Sequence, residues 1–279
     1  MDAQILFLGT AGDSFVLSKQ ERTAGGFVIQ TPQSQILVNP GPGAFINATR
    51  TNTQLEKTTV IIVTDNTLLH AYDTNVIIDI MTLGCFDQKG ILLAAKSALQ
   101  QSEENHQTKE GKENTPLINP KYQNAVEKTI LLQENTKVSC NDIQIETLKI
   151  KNKDPDAVGV KVITTSFSLG YVNKTKYTAK LKDALQDVEI LILELPLKTA
   201  NPKEEGLCIE EAEKLIEEIK PQVTVLTGFG ISIIKEDILE MTRSMNRKTN
   251  CQIIAAKDGF SFDPTSYAVQ LRQKRLNGF

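Results

Sequence analysis

The sequence predicts a mixed α and β protein (α+β or α/β) in which two β-sheets pack face to face and helices cover their outer faces. Two patterns support this prediction. Early in the chain, short apolar or alternating runs are bounded by Gly, Pro, Thr or Asn, which is typical of strands; later, apolar runs alternate with amphipathic segments. No long linker separates the two parts, so we expect one domain over residues 1–279.

The individual elements follow from the same patterns. Strands are predicted at 4–8, 26–30, 35–38, 59–63, 129–132, 143–150, 159–164, 188–194, 223–227 and 251–256. Helices are predicted at 74–83, 177–185, 209–219 and 235–245, and a turn is predicted at 168–171. The runs 188–194 and 223–227 are nearly continuous in apolar residues, so we expect strands buried on both faces.

A polar segment from Gln100 to Thr115 has almost no apolar side chain. A segment that can bury so little apolar surface does not offset the entropy lost on ordering, and we therefore expect a mobile surface loop. His106 lies inside this segment and is expected to be exposed to solvent.

Composition excludes several classes of function. With 40% hydrophobic and 23% charged residues the chain can bury a large core, and its net charge of −3 does not favour nucleic acid or an anionic membrane as a partner. No run approaches the ~18 apolar residues that cross a bilayer, so we expect a cytoplasmic protein. The cysteines form no C-x-x-C pair, which argues against a structural zinc site or a disulfide framework: Cys85, Cys140, Cys208 and Cys251.

The most informative segment is Val60 to Asp73, VIIVTDNTLLHAYD, in which an apolar run ends in a polar turn and a helical pattern follows. Further motifs are LFLGTAG at 6–12, LVNPGPG at 37–43, DPDAVGVK at 154–161, GYVNKTKY at 170–177 and VTVLTGFG at 223–230. Together they cover almost the whole chain and resemble the metallo-β-lactamase superfamily. The resemblance implies an αββα sandwich, with two mixed β-sheets and helices on the outer faces.

The resemblance also implies a set of metal-ligand positions, and most of them have changed. Members of the superfamily carry H-x-H-x-D-H, a third histidine, a bridging aspartate and a last histidine. The corresponding residues here are Asp65, Thr67, Leu69, His70, Asn152, Lys174 and Gly228. A catalytic zinc needs about three ligands from His, Asp, Glu or Cys. We therefore expect no metal, and if a zinc or other divalent ion binds at all, Asp65 and His70 are the expected ligands.

Lys174 is the strongest argument against a metal. An ammonium group is a cation with three donors and no acceptor, so it repels a divalent ion where the superfamily has a bridging carboxylate. Two interpretations remain open. Lys174 either points into solvent, or it replaces the charge of the metal and pairs with Asp65, with Asp154 as a second candidate partner.

Asp65 and His70 also have simpler interpretations. Asp65 follows a strand and precedes a helix, so it suits a turn or capping role. His70 is more simply explained as a hydrogen-bonded packing residue than as a metal ligand.

Three hypotheses for function follow. The first is a non-catalytic binding or regulatory protein, with a protein partner or a small molecule in the pocket formed by the seven altered ligand positions. The second is an atypical hydrolase of esters, amides or phosphodiesters, with one metal near Asp65, His70 and a further carboxylate such as Glu194 or Asp258. The third is a nucleic-acid binder, which would need a basic face around Lys149, Lys151, Lys153, Lys161 and Lys174.

Limited proteolysis tests the prediction for the polar segment. A low ratio of trypsin to protein should cut first between Gln100 and Thr115, because mobile polar loops are the preferred sites of nicking. Mass spectrometry of the first fragments gives the position of the cut. Resistance of this segment, with first cuts elsewhere, would contradict the expected loop.

Overall fold

The computed structural model describes residues 3–100 and 116–268. Its strands are β1 (Gln4–Phe7), β2 (Phe27–Gln30), β3 (Gln35–Val38), β4 (Val60–Val63), β5 (Ile91–Ala95), β6 (Lys128–Leu132), β7 (Lys137–Cys140), β8 (Ile143–Lys149), β9 (Val158–Thr164), β10 (Ser168–Val172), β11 (Ile190–Glu194), β12 (Val223–Thr227), β13 (Ile253–Ala255) and β14 (Ser261–Phe262).

The helices within the described ranges are mostly short. They are α1 (Ser14–Ser18), α2 (Ala44–Arg50), α3 (Leu68–Ala71), α4 (Thr74–Met81), α5 (Lys96–Leu99), α6 (Pro120–Gln123), α7 (Ala179–Ala184), α8 (Ile209–Ile219), α9 (Ile231–Ile234) and α10 (Ile238–Thr249). Single 3-10 turns lie at Leu55–Lys57 and Pro264–Tyr267. None of the described helices has the length and apolar character to span a membrane.

Across the described residues the strands form two seven-stranded sheets. The first has the order β14-β1-β2-β3-β4-β5-β6 and the second the order β13-β12-β11-β10-β9-β8-β7. In the first sheet β3 to β6 run parallel and β1 to β3 antiparallel; in the second, β10 to β13 run parallel and β7 to β10 antiparallel. Both sheets are therefore mixed, as expected.

Strand β4 shows why the sheets are covered on both faces. All four of its residues are buried. Val60 and Ile62 point into the core between the sheets, while Ile61 and Val63 point into a second cluster under the helices, because successive strand side chains alternate between faces. A third cluster lies beneath α7, α8 and α10 on the other sheet. The layers are thus α, β, β, α, which confirms the predicted sandwich.

The topology brings several strand ends together. Strands β3 and β4 are parallel neighbours, and so are β10, β11 and β12. Carboxyl ends of parallel neighbours lie on the same edge of a sheet, which is where open α/β sheets place their ligands. Six of the seven positions that the resemblance singles out follow these ends, and Asn152 follows β8.

The segment 168–171 is not the predicted turn but part of β10, between β9 and β11. Gly170 suggested a turn from sequence, yet it is needed for packing: a Cβ there would lie 2.5 Å from Leu185 Cδ2 and 3.3 Å from Val188 Cγ1. Three strands were missed, β5, β7 and β14. The run ILLAA of β5 has no alternation and two alanines, so its sequence did not separate strand from helix.

Some predictions fall outside the described residues. They concern the polar segment up to Thr115 and His106 within it. The interpretation of the chain as one domain also stays a prediction.

Replacement of Gly170 by alanine tests the packing of β10 against α7. The added methyl group would overlap the buried Leu185 side chain, so we expect a loss of about 1–3 kcal/mol in the free energy of unfolding. Urea unfolding followed by circular dichroism measures it. Thr165→Ala, in the neighbouring exposed turn, is the control and should change stability by less than about 0.5 kcal/mol. Equal stability of the two variants would contradict the close contact.

Candidate functional site

The carboxyl ends of β4, β10 and β11 meet at one edge of the sandwich. Asp65 follows β4, Asn173 follows β10, and Glu194 is the last residue of β11. His70 comes from α3, which crosses above these ends. All four residues are buried, so their polar groups must find partners inside the protein.

His70 lies between two carboxylates. Its Nδ1 is 2.6 Å from Asp65 Oδ2 and its Nε2 is 2.9 Å from Glu194 Oε1, and all three side chains are more than nine-tenths buried. An ionised carboxylate only accepts hydrogen bonds, so both ring nitrogens donate, and a histidine with two N–H groups is an imidazolium. Asp65, His70 and Glu194 therefore form a buried carboxylate–imidazolium–carboxylate triad, here called the triad.

The pKa values agree with this geometry. Burial lowers the pKa of His70, but the charges of Asp65 and Glu194 and the hydrogen bonds to them outweigh burial and raise it to about 10. Burial raises the pKa of Asp65, but the charge and hydrogen bond of His70 lower it to about 2. The pKa of Glu194 is lowered in the same way, mainly by His70 against the effect of burial. The triad is thus fully ionised at neutral pH.

A closed ring of hydrogen bonds holds the triad. Tyr171 Oη donates to Glu194 Oε1 at 2.7 Å and accepts from Asn39 Nδ2 at 2.9 Å. Asn39 Nδ2 also donates to Thr64 Oγ1 at 2.7 Å. Asn173 Nδ2 closes the ring, donating to Thr64 Oγ1 at 2.9 Å and to Asp65 Oδ2 at 2.7 Å. We call this the His70 ring; its members are Asn39, Thr64, Asp65, His70, Tyr171, Asn173 and Glu194.

Local sequence positions Asp65 in this ring. Its second oxygen, Oδ1, accepts from the backbone N–H and the hydroxyl of Thr67, both at 2.8 Å. This turn leads directly into α3, which begins at Leu68 and carries His70. The turn role predicted for Asp65 is therefore confirmed, and the same turn explains why Thr67 follows it.

Three further residues at the superfamily's metal-ligand positions, Leu69, Asn152 and Gly228, lie outside the triad. Leu69 packs in a small apolar cluster with Val16 and Ala24. Asn152 Nδ2 donates to the backbone carbonyl of Lys174 at 2.6 Å. Gly228 has φ +59°, and a Cβ at this position would lie 2.6 Å from Glu194 Cγ. Glu194 thus fills the space beside Gly228.

The ion pair suggested between Lys174 and Asp65 is not formed. Among the described carboxylates none makes a salt bridge with Lys174, and Asp65 is neutralised by His70 instead. Lys174 is half-buried and acts only at longer range, through its charge, on Glu194. Asp154, the second suggested partner, accepts from Ser97 Oγ at 2.6 Å. The charge-replacing role, which was one of two interpretations of Lys174, is therefore held by His70 in this structure.

Of the two additional carboxylates considered from sequence, Glu194 lies in the triad and Asp258 does not. Asp258 accepts from Thr10 Oγ1 at 2.8 Å and from Thr23 at 2.7 and 2.9 Å. Sequence reasoning missed the ring members that carry no charge. The sequence feature that could have identified them is their position in the motifs: Asn39 lies in LVNPGPG, and Tyr171 and Asn173 lie in GYVNKTKY.

Comparisons with solved structures identify the fold. The metallo-β-lactamase fold protein YhfI from Bacillus subtilis superposes with a TM-score of 0.73 at 13% identity, over 94% of this chain and 99% of that one. The chain has the metallo-β-lactamase fold. A diphosphatase from the PhnP family gives 0.67 at 15% identity, over 94% and 97%. Zinc-bound PqqB from Methylobacterium extorquens gives 0.67 at 13% identity, over 93% and 99%.

Sequence comparison adds one uncharacterised relative. It is the protein MJ1374 of Methanocaldococcus jannaschii, 23% identical over 265 residues, which are 94% of this chain and 96% of the relative. No family model matches the sequence.

The donor set of this metallo-β-lactamase fold does not suit a dinuclear metal centre. Within residues 3–100 and 116–268, no group of three or more His, Cys, Asp or Glu side chains is arranged to hold a metal ion. Three such residues do meet in the triad, but the imidazolium separates the two carboxylates, and both its nitrogens are engaged by them. Leu69 and Gly228 offer no ligand, and Lys174 adds positive charge.

A histidine titration by NMR tests the charge of His70. The chain has only two histidines, so the ring signal of His70 is the one that the variant His106→Ala retains. We expect the ring signal of His70 to stay constant from pH 5 to 8, since its pKa is raised to about 10. Because the folded-state pKa is raised, this interaction stabilises the fold fully below pH ~6.5, and the stabilisation is lost as pH rises towards 10. Two signals that both move below pH 8 would contradict a buried imidazolium.

Proposed function

We propose that this chain is a non-catalytic protein of the metallo-β-lactamase superfamily, with a binding or regulatory role. The observation that carries the proposal is that His70 uses both ring nitrogens as donors to Asp65 and Glu194. A metal-binding imidazole needs a free nitrogen lone pair, and neither nitrogen offers one here.

The protonation state of the triad explains why a metal ion would bind weakly at this site. To bind one, His70 would have to lose a proton whose removal is opposed by two buried carboxylates. The ring would also have to turn away from at least one of these partners, leaving a buried carboxylate unpaired, at a cost of several kcal/mol. The triad therefore supplies internally the positive charge that a metal would bring.

One specific observation supports the alternative of a hydrolase with a single metal. Asp65, His70 and Glu194, the residues proposed for a reduced single-metal site, do lie together. As a hydrolase of esters, amides or phosphodiesters, the protein would need a conformation in which the imidazole leaves Glu194 and all three side chains converge. Zinc would then bind with the release of a proton from His70.

The nucleic-acid alternative receives less support. Lys149, one of the residues of the suggested basic face, is paired with Glu134, and Lys161 Nζ donates to the carbonyl of Gln186. The net charge of −3 also opposes a general affinity for nucleic acid. The cytoplasmic location stays a prediction.

Metal content and chelator treatment test the proposed function. The protein, expressed with zinc, iron and manganese supplied and purified without chelator, should contain well under one equivalent of metal, and EDTA should leave its Tm unchanged. Elemental analysis and thermal unfolding give both quantities.

Two variants separate the alternatives. If the single-metal site exists, Glu194→Gln should lower the metal content while Glu189→Gln, a buried glutamate just before the same strand, should not. Stoichiometric zinc in the wild-type protein, lost to EDTA together with ~10 °C or more of Tm, would contradict the non-catalytic proposal.

A further inference from the structure

The exposed apolar side chains of the described chain are concentrated on one side of the molecule. Nine large apolar residues are exposed among the described residues. Eight of them lie in α1 to α4 and the turn after α4: Phe15, Phe45, Ile46, Leu68, Tyr72, Val76, Leu83 and Phe86. The ninth, Leu239, lies on α10 in the helical layer of the other sheet. The two helical layers therefore present different surfaces to solvent.

Hydrogen bonds at Asp73 bring the apolar helices together. The carboxylate of Asp73 accepts from the backbone N–H groups of Gly43 and Phe45, both at 3.1 Å. Asp73 lies between α3 and α4, so the first turn of α2 meets the junction of these two helices. The exposed apolar residues of α2, α3 and α4 thus lie on adjoining helices. We call them, together with the half-buried Ile80, the apolar face: Phe45, Ile46, Leu68, Tyr72, Val76, Ile80 and Leu83.

The largest part of the apolar face is a stripe along α3 and α4. Its residues follow one another at spacings of three or four positions: Leu68, Tyr72, Val76, Ile80 and Leu83. Residues at these spacings lie on one side of a helix. Tyr72 has helical dihedral angles, φ −60° and ψ −43°, which carry the helical path from α3 into α4. The opposite side of α4 is buried in the core under the first sheet.

This stripe is more apolar than a solvated helix surface. Leu68, Tyr72 and Leu83 are 58%, 60% and 60% exposed. Asp79 is the one charged residue in α4, and its carboxylate lies 4.0 Å from Lys121 Nζ. Scattered apolar residues are normal on a protein surface, but a contiguous apolar patch marks a surface that another molecule covers.

The area of the apolar face matches that of a dimer interface. With ~150–200 Å² for a fully exposed side chain of this size, the exposed fractions leave on the order of 500 Å² of apolar surface. A standard interface covers about 800 Å² on each partner, of which about 65% is apolar in homodimers. The apolar face therefore supplies the apolar area that one side of a homodimer needs.

The stripe also has the same pattern in both directions from Val76. Tyr72 and Ile80 lie four positions away on either side, and Leu68 and Leu83 lie eight and seven positions away. In an antiparallel copy centred on Val76, Tyr72 of one copy would face Ile80 of the other, and Leu68 would face Leu83. Such self-complementarity is what an interface with a twofold axis requires. Val76, the smallest residue of the stripe, allows two helices to approach closely at the axis.

We propose that the outer side of α3 and α4 is a dimer interface, on which a second copy of this chain packs antiparallel across a twofold axis at Val76. The occupant is a second copy because the stripe is self-complementary and its area is that of a homodimer interface. The stripe carries no run of charges that would select a charged partner. This inference is independent of the proposed function, since no residue of the apolar face belongs to the His70 ring.

Sedimentation equilibrium of the full-length protein tests the dimer. We expect a reversible monomer–dimer equilibrium that is mostly dimer at about 100 μM chain. Val76→Arg should raise the Kd of the dimer by about a hundred-fold or more, because two arginines would meet at the axis. Leu239→Arg is the matched control, since Leu239 is 59% exposed on α10, and it should keep the wild-type Kd. Circular dichroism checks that each variant is folded.

A pair of opposite charges tests the antiparallel packing. Tyr72→Lys and Ile80→Glu should each weaken the dimer. The double variant should bind at least about ten-fold more tightly than either single variant, because each lysine would then face a glutamate of the other copy. In a parallel arrangement, like charges would meet and the double variant would be the weakest.

The outcomes that overturn the proposal are distinct. A wild-type protein that stays monomeric at about 100 μM leaves the apolar face to another partner. A dimer that keeps its Kd in both Val76→Arg and Leu83→Glu has its interface elsewhere. Leu83 is exposed, so this second variant serves if Val76→Arg does not fold. Weakening by Leu239→Arg as well would show a non-specific charge effect, and a double variant without recovery would contradict the antiparallel packing.

Discussion

The contact between His70 and the two carboxylates of Asp65 and Glu194 is the interaction on which this edge of the sandwich depends. The two sheets each contribute one negative charge, from the end of β4 and the end of β11. Without a cation between them these charges would repel across the core. The imidazolium therefore acts as an internal counter-ion that joins one sheet to the other, and it does so with groups that the chain itself encodes.

The neutral members of the ring determine how firmly this counter-ion is held. Asn39 donates to Thr64 and Tyr171, as a carboxylate could not. Its φ of +51° is a conformation that asparagine tolerates better than most residues. Tyr171 and Asn173 then bond one carboxylate each. The neutral side chains of the ring thus suit an imidazolium held between two carboxylates.

The sequence predicted the fold well because the fold follows from local patterns. The bounds of α8 and β12 were predicted to the residue, and the apolar runs of β3 and β4 indicated strands. The site was predicted only in part. Asp65 and His70 were identified, but pairing of Asp65 with Lys174 was left as one of two interpretations, since a sequence shows which charges exist and not which of them meet. Glu194 lies more than 120 residues further along the chain, and only the packing of the sheets brings it to His70.

The crowding between Gly228 and Glu194 restricts substitution at both positions. A residue with a side chain does not fit at position 228 beside Glu194, because its Cβ would meet the Glu194 side chain and its backbone would keep a left-handed φ. Glu194 cannot be shortened by itself either, because His70 would lose a partner. Changes at the two positions are therefore expected to be epistatic, because either change alone should give a less stable protein. Positions 194 and 228 are thus expected to change together rather than one at a time.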